Sequence, residues 1–211
     1  MIVDKLTKAV LSDIVNALRS GGVIAVPTDT IYGVACLAQS AEGISKIYSI
    51  KCRDNSKPLA ILVPSVQSIE KVAVVNDDTT MSILRKLLPG PVTAVLRRQT
   101  SLNPGLNPEI SSIGVRVIDT DTLTQLMSEV AEPLALTSAN VSGKKSSLCI
   151  SDFEEIHSKI DFIIDGGNLE TPRDGSTVID LTIPGTYHIV RKGQQFENTL
   201  SVLHDFGLES A

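Results

Sequence analysis

Short apolar runs, each closed by turn residues, recur along this chain without a fixed period. Val23-Ile-Ala-Val26, Leu59 to Val63, Val92 to Leu96, Ile113 to Val117, Leu134 to Leu136, Asp161 to Asp165, Thr177 to Leu181 and Tyr187 to Arg191 each read as a strand. Residues 31–38 continue apolar around Gly33 and give another extended piece. Several of these runs follow one another with only a turn between them, as at Pro184-Gly185. The regular strand–helix–strand spacing of a doubly wound parallel sheet is therefore missing. The pattern predicts a single α/β domain, α+β-like, over residues 1–211, with a twisted mixed sheet and flanking helices. Two hundred and eleven residues suffice for one substantial core.

Helices are expected between the strands. Ser12 can cap one through Ile14, Val15 and Leu18, ended by Gly21-Gly22. Others are predicted at 41–50, 66–73, 79–88, 123–130, 152–160 and 196–206. Residues 100–112 are loop by composition.

Bulk chemistry excludes several classes. The net charge is −5, so a purely electrostatic nucleic-acid binder is not indicated, and any RNA contact needs a local basic patch. Cys36, Cys52 and Cys149 form neither a zinc pattern nor a disulfide framework, and free thiols suit a reducing compartment. No apolar run has the length of a membrane span, and Met1-Ile-Val-Asp-Lys is not a signal peptide. Cytoplasmic residence is the expectation, with a mitochondrial form left open.

Polar residues cluster where apolar runs end. Lys51-Cys-Arg53-Asp-Asn-Ser-Lys57-Pro58 puts three cations in seven residues, a pattern suited to a polyanion but also to an ordinary solvated loop. Thr28-Asp29-Thr30, Ser111-Ser112, Ser138 with Asn140, Ser176 and Arg191 occupy similar places. Arg116 interrupts an apolar strand. It either faces solvent or points into a cleft, where it needs an anionic partner. There is no phosphate-binding glycine loop, no nucleophile elbow and no dense carboxylate cluster. Magnesium, if used, would arrive on a nucleotide.

The motifs, taken in order, resemble the YrdC family. They are Gly21-Gly22-Val-Ile-Ala-Val-Pro27-Thr28-Asp29-Thr30-Ile-Tyr32-Gly33, Lys51-x-Arg53 with Lys57-Pro58-Leu59, and Leu88-Pro89-Gly90-Pro91-Val-Thr93. Gly114-Val-Arg116, Ser138-Ala139-Asn140-Val-Ser142-Gly143, Asp165-Gly166-Gly167 and Gly175-Ser176-Thr177-Val-Ile-Asp180 follow. Together they span residues 21–193. Lys-x-Arg with Ser-x-Asn is the family's signature. The chain looks like the eukaryotic-type, single-domain version, without a second C-terminal domain.

The resemblance implies a YrdC-like fold with a concave cleft and a nucleotidyltransferase activity, threonylcarbamoyl-AMP synthesis. L-threonine, bicarbonate and ATP, with Mg2+, give threonylcarbamoyl-AMP and pyrophosphate. A downstream threonylcarbamoyl transferase complex then modifies adenosine 37 of tRNAs reading ANN codons. It further implies that Lys51, Arg53 and Lys57 bind the phosphates of ATP. Lys51 and Arg53 would act by charge neutralisation, with no general base. Ser112, Asn140, Ser146 and Arg191 are implied as nucleotide contacts. Thr30, Arg116, Ser138 and Ser176 are implied as threonine contacts, Arg116 through the carboxylate. No protein-held metal is implied. One family contact, commonly His, falls near Leu62 here.

Two other readings stay open at this point. One is a non-catalytic double-stranded RNA or tRNA-binding module, with Lys51, Arg53, Lys57, Lys144 and Lys145 lining a concave surface; a weak tRNA contact is also compatible with the enzyme. The other is a carbamoyl transferase resembling the YrdC-like domain of hydrogenase maturation proteins.

Overall fold

A computed structural model describes residues 1–51, 58–75, 77–141 and 143–211. The elements are, in chain order, β1 (Ile2–Val3), α1 (Lys8–Arg19), β2 (Ile24–Val26), β3 (Gly33–Leu37), α2 (Ala41–Lys51), β4 (Ala60–Leu62), β5 (Ala73–Val74), α3 (Asp78–Leu87), β6 (Val92–Arg98), β7 (Ser112–Arg116), α4 (Asp121–Val130), β8 (Leu134–Ser138), β9 (Phe162–Ile164), β10 (Thr177–Asp180), β11 (Thr186–Arg191), α5 (Phe196–Asp205) and β12 (Glu209–Ser210). Two 3-10 helices, Val66–Lys71 and Ile150–Lys159, complete the set.

The strands form one sheet in the order β1-β9-β2-β3-β8-β4-β7-β6-β10-β11-β12, with β5 paired to β6. β2–β3, β3–β8, β8–β4 and β7–β6 are antiparallel, whereas β4–β7 and β6–β10 are parallel. The predicted mixed sheet is what the chain builds.

Alternation sorts the strand side chains onto two faces. Val23, Ala25, Val34, Cys36, Ile61 and Ala135 enter a large core with α2, α3, α5 and both 3-10 helices. Ile24, Val26, Ala35, Leu37, Leu62, Leu134 and Leu136 enter a second core with α1 and α4. Burial on both faces explains the unbroken apolar runs of the central strands. The second core contains no residue of β6, β7, β10 or β11. On those strands only one face is roofed by helices. The other face is open.

Some local expectations change. Helix α1 begins earlier than predicted: Thr7, not Ser12, is its cap, and the Thr7 hydroxyl accepts the Val10 N–H at 3.3 Å. Gly21 does take the left-handed conformation that ends the helix, with φ +76°. The segments predicted as helices at 66–73 and 152–160 wind as 3-10 helices. Val66 and Ile69 of the first, and Phe153 and Ile156 of the second, which is kinked at Phe153, turn into the large core. The 100–112 loop is wrapped around Arg98. Its guanidinium donates to the carbonyls of Leu102, Asn103, Leu106, Asn107 and Ile110 at 2.7–3.5 Å.

Candidate active site

The open face of β6, β7 and β10, continued by the ends of β3, β4 and β8, forms the floor of a cavity of about 540 Å³. Neighbouring strands each contribute a floor residue. Gly33 lies opposite Ser138, Ala60 lies between Leu136 and Gly114, and Val178 lies opposite Thr93. Small residues keep the middle of this floor low. A Cβ on Gly33 would sit 2.6 Å from Leu136 Cδ1, and one on Gly114 2.9 Å from Thr93 Cγ2. Strand-end loops supply the walls.

The Thr28–Tyr32 turn is one wall. The Thr28 hydroxyl accepts the N–H groups of Thr30 and Ile31 and donates to the Ile31 carbonyl. This closed loop presents Thr30 Oγ1, 3.1 Å from Thr28 Oγ1, beside Arg116. Tyr32, also in the lining, is fully buried. Its hydroxyl takes the Gly166 N–H and donates to the Gly167 carbonyl, each at 2.8 Å. Burial pushes its pKa up to about 12, so it stays a neutral donor.

Lys51, the last residue of α2, is buried. Its ammonium donates to the Ser138 carbonyl at 2.5 Å, to the Asn140 carbonyl, and to the side-chain oxygens of both residues. The Lys51 and Ser138-x-Asn140 motifs are therefore one structural unit. The Asn140 carboxamide gives its N–H groups to the carbonyls of Val141 and Lys144 at 2.9 and 2.7 Å. Lys51 thus acts on the loop that ends β8 as well as facing the cavity.

Arg116 does point into the cleft, not to solvent. It is 5% exposed and lines the cavity. Its Nη2 donates to Asp29 Oδ1 at 2.5 Å and its Nη1 to Thr30 Oγ1 at 3.4 Å. Arg116 Nε and Asp29 Oδ2 are buried without a hydrogen-bond partner. Across the cavity, Arg191 holds the Ser176 carbonyl through Nε and Nη2, and Nη2 also reaches Ser176 Oγ at 3.2 Å. Ser176 Oγ meets Thr93 Oγ1 at 2.7 Å. Gly175 is required by this packing, because a Cβ there would approach Arg191 Nη2 to 2.9 Å. Burial, and secondarily the charge of Arg116, pull the Arg191 guanidinium below its usual range. An anion between the two arginines would relieve that mutual repulsion.

Of the residues singled out in the sequence, Thr30, Lys51, Ser112, Arg116, Ser138, Asn140, Ser176 and Arg191 all line this one cavity. Ser146 does not join them; its carbonyl accepts Arg173 Nη1 at 2.7 Å instead. Arg53 and Lys57 lie outside the described residues. Leu62 is buried in the α1/α4 core, so the position gives the cavity no polar group. Sequence reasoning names Asp29 only as part of the Thr28–Thr30 polar cluster, and Tyr32 and Thr93 only inside motifs, and gives none of the three a role. Thr93 had the same signal as Arg116, a polar residue inside an apolar strand.

The Sua5/YciO/YrdC family model, described as "telomere recombination", matches residues 16–193. The chain belongs to this family. Relatives include the threonylcarbamoyl-AMP synthases of Bos taurus, 41% identical over 199 residues, and Homo sapiens, 40% identical over 200 residues. Each alignment covers 92% of this chain and 71% of the relative. Among solved structures, Pyrococcus abyssi Sua5 complexed with L-threonine superposes with a TM-score of 0.90 and 26% identity over 100% of this chain. The chain spans 62% of that protein's length. Escherichia coli YciO superposes with a TM-score of 0.79 and 26% identity, covering 92% of this chain and 94% of YciO. The family fold explains why Thr30, Ser112, Arg116, Ser138, Asn140, Ser176 and Arg191, far apart in sequence, meet in one cleft: each lies on or beside a strand of the same sheet, and Lys51 joins them from the end of α2.

Proposed function

We propose that this chain is a threonylcarbamoyl-AMP synthase, an enzyme that condenses L-threonine, bicarbonate and ATP to threonylcarbamoyl-AMP and pyrophosphate. The observation that carries the reading is the convergence of Arg116 and Arg191 with the hydroxyls of Thr30, Ser138 and Ser176 in one cavity. That set offers a guanidinium for a carboxylate, hydroxyls for a small polar amino acid, and further positive charge for phosphates. The names of the mammalian relatives and the threonine complex of the archaeal Sua5 support the same substrates.

In this reading the amine of threonine attacks the carbon of bicarbonate, and loss of water leaves a carbamate. A carbamate oxygen then attacks the α-phosphorus of ATP, and pyrophosphate leaves. Both partners of the second step are anions. The protein's work is to hold them in line and neutralise their charge, so no general base is assigned. Arg116 takes the threonine carboxylate, beside Thr30, Ser138 and Ser176. Arg53, Lys57, Ser112, Asn140 and Arg191 serve the nucleotide, and Lys51 holds the Ser138–Asn140 wall while adding positive charge. Among the described residues no group of three His, Cys, Asp or Glu side chains is placed to hold a metal ion. The magnesium of this reading travels on the phosphates as part of the substrate.

A transferase complex then consumes the labile adenylate for tRNA modification, and the reading places the chain in the cytoplasm. Among the described residues no helix is long and apolar enough to cross a membrane. The RNA-module reading loses one of its surface cations, because Lys51 is buried and turned into the Ser138–Asn140 wall.

Purified protein given threonine, bicarbonate, ATP and magnesium should release pyrophosphate only when threonine is present. Threonine-independent release would refute the proposal. Arg116→Ala should raise the threonine requirement more than the ATP requirement, and Arg53→Ala the reverse. Equal effects on both substrates would show that the cleft is divided wrongly.

A further inference from the structure

Asp29 and Arg116 form an ion pair that is incomplete on both sides. Asp29 belongs to the turn after β2, and Arg116 ends β7. The contact is a single bond, Nη2 to Oδ1 at 2.5 Å. A guanidinium and a carboxylate can share two parallel bonds, and this pair makes one. The second oxygen, Asp29 Oδ2, and the third kind of donor, Arg116 Nε, are both buried without a partner. Buried polar groups are nearly always satisfied, so two orphans on one ion pair need an explanation.

The cavity supplies one. Arg116 belongs to its lining and Asp29 does not. A ligand carboxylate entering the cavity therefore reaches Arg116, whose guanidinium already holds Asp29. The ligand-free protein must also keep a nearly buried guanidinium neutralised, and Asp29 does so. The same negative charge then opposes any second carboxylate drawn to Arg116.

We infer that Asp29 is a resident competitor for Arg116: its carboxylate holds the guanidinium until the amino-acid carboxylate arrives, and its charge lowers the affinity of the site for that carboxylate. The inference rests on the threonine site proposed above and adds a residue that tunes it. Asp29 acts through Arg116 and is a positioning residue, not a catalytic one. Its turn is the one that presents Thr30, so the competitor and a hydroxyl of the amino-acid site belong to the same turn.

Calorimetric titration of the full chain tests this. Wild-type protein is titrated with L-threonine first; absence of binding would refute the proposed function before Asp29 is touched. Asp29→Asn keeps the shape of the side chain and an oxygen facing Nη2 but removes the charge. It should bind L-threonine about tenfold more tightly than wild type, because the incoming carboxylate no longer faces a resident anion. L-threoninol, which lacks the carboxylate, should show no gain. Equal or weaker threonine binding by Asp29→Asn, with wild-type binding intact, would overturn the inference. So would an equal gain for threoninol. Should the variant not fold, nuclear magnetic resonance of the wild type decides the matter. The Arg116 Nε–H signal, assigned by its loss in Arg116→Lys, should move on threonine saturation as the guanidinium exchanges Asp29 for the ligand carboxylate. An unmoved signal would overturn the inference.

Discussion

Replacing Asn107 by alanine removes a side chain that grips both backbone groups of Leu59. Asn107 is fully buried in the loop gathered by Arg98. Its Oδ1 accepts the Leu59 N–H at 2.7 Å, its Nδ2 donates to the Leu59 carbonyl at 2.9 Å, and the Tyr48 hydroxyl reaches Oδ1 at 3.3 Å. Leu59 is itself buried and lines the cavity just before β4. Alanine would leave its N–H and carbonyl without these partners, at about 1–3 kcal/mol each. Asn107 also has φ +51°, a left-handed conformation that asparagine tolerates and alanine resists by about 1 kcal/mol. The expected loss is therefore about 3–7 kcal/mol. Urea unfolding should show it as a midpoint shift of about 1–2 M at unchanged slope. Asn107→Gly loses the same hydrogen bonds but accepts the backbone angle, and should be the less damaged variant by about 1 kcal/mol. Variants that stay folded should need more of both substrates, because the β4 end of the floor loosens. A loss below about 1 kcal/mol for Asn107→Ala would refute the reasoning, since Leu59 would then find other partners at little cost.

Other perturbations separate stability from function. Gly175→Ala should crowd Arg191 off Ser176 while changing stability by less than about 1 kcal/mol, because the far end of a flexible side chain can move. Steady-state assays should then show an increased substrate requirement with an unchanged melting temperature; an unchanged requirement would argue against a role for Arg191. Tyr32→Phe removes the partner of Gly166 N–H and Gly167 O and should cost about 1–3 kcal/mol in urea titrations. Burial pushes the Cys36 thiol from 9.0 up to about 12. Above pH 9 the unfolded chain loses this proton and the folded chain keeps it. Stability should fall by about 1.4 kcal/mol per pH unit from this group until pH approaches 12. Cys36→Ala should flatten that part of the alkaline stability profile, and a profile identical to wild type would show that Cys36 does not contribute.

Much of the architecture was legible in one dimension. Unbroken apolar runs such as Val23–Val26 mark strands covered on both faces, because burial on two sides leaves no polar alternation. The two-residue strands β1, β5 and β12 were missed, since two residues carry no period. Thr7 was passed over as a cap because the apolar stripe of α1 starts only at Leu11, one turn after the helix does.

The sequence by itself determined which chemistry is present: four hydroxyl-bearing segments at the ends of apolar runs, an arginine inside an apolar strand, and a basic segment before another. Side-chain type and its place relative to a strand end are local properties, and local patterns express them. Tertiary structure alone decided who meets whom. It left one half of one sheet face without a helix and so made a floor. It turned Lys51 onto Ser138 and Asn140, 87 and 89 residues away. It also set Asp29 against Arg116 across 87 residues, giving the strand arginine a resident partner that nothing in either segment announces. Those pairings follow from strand order and register, and both are set by the packing of the whole chain.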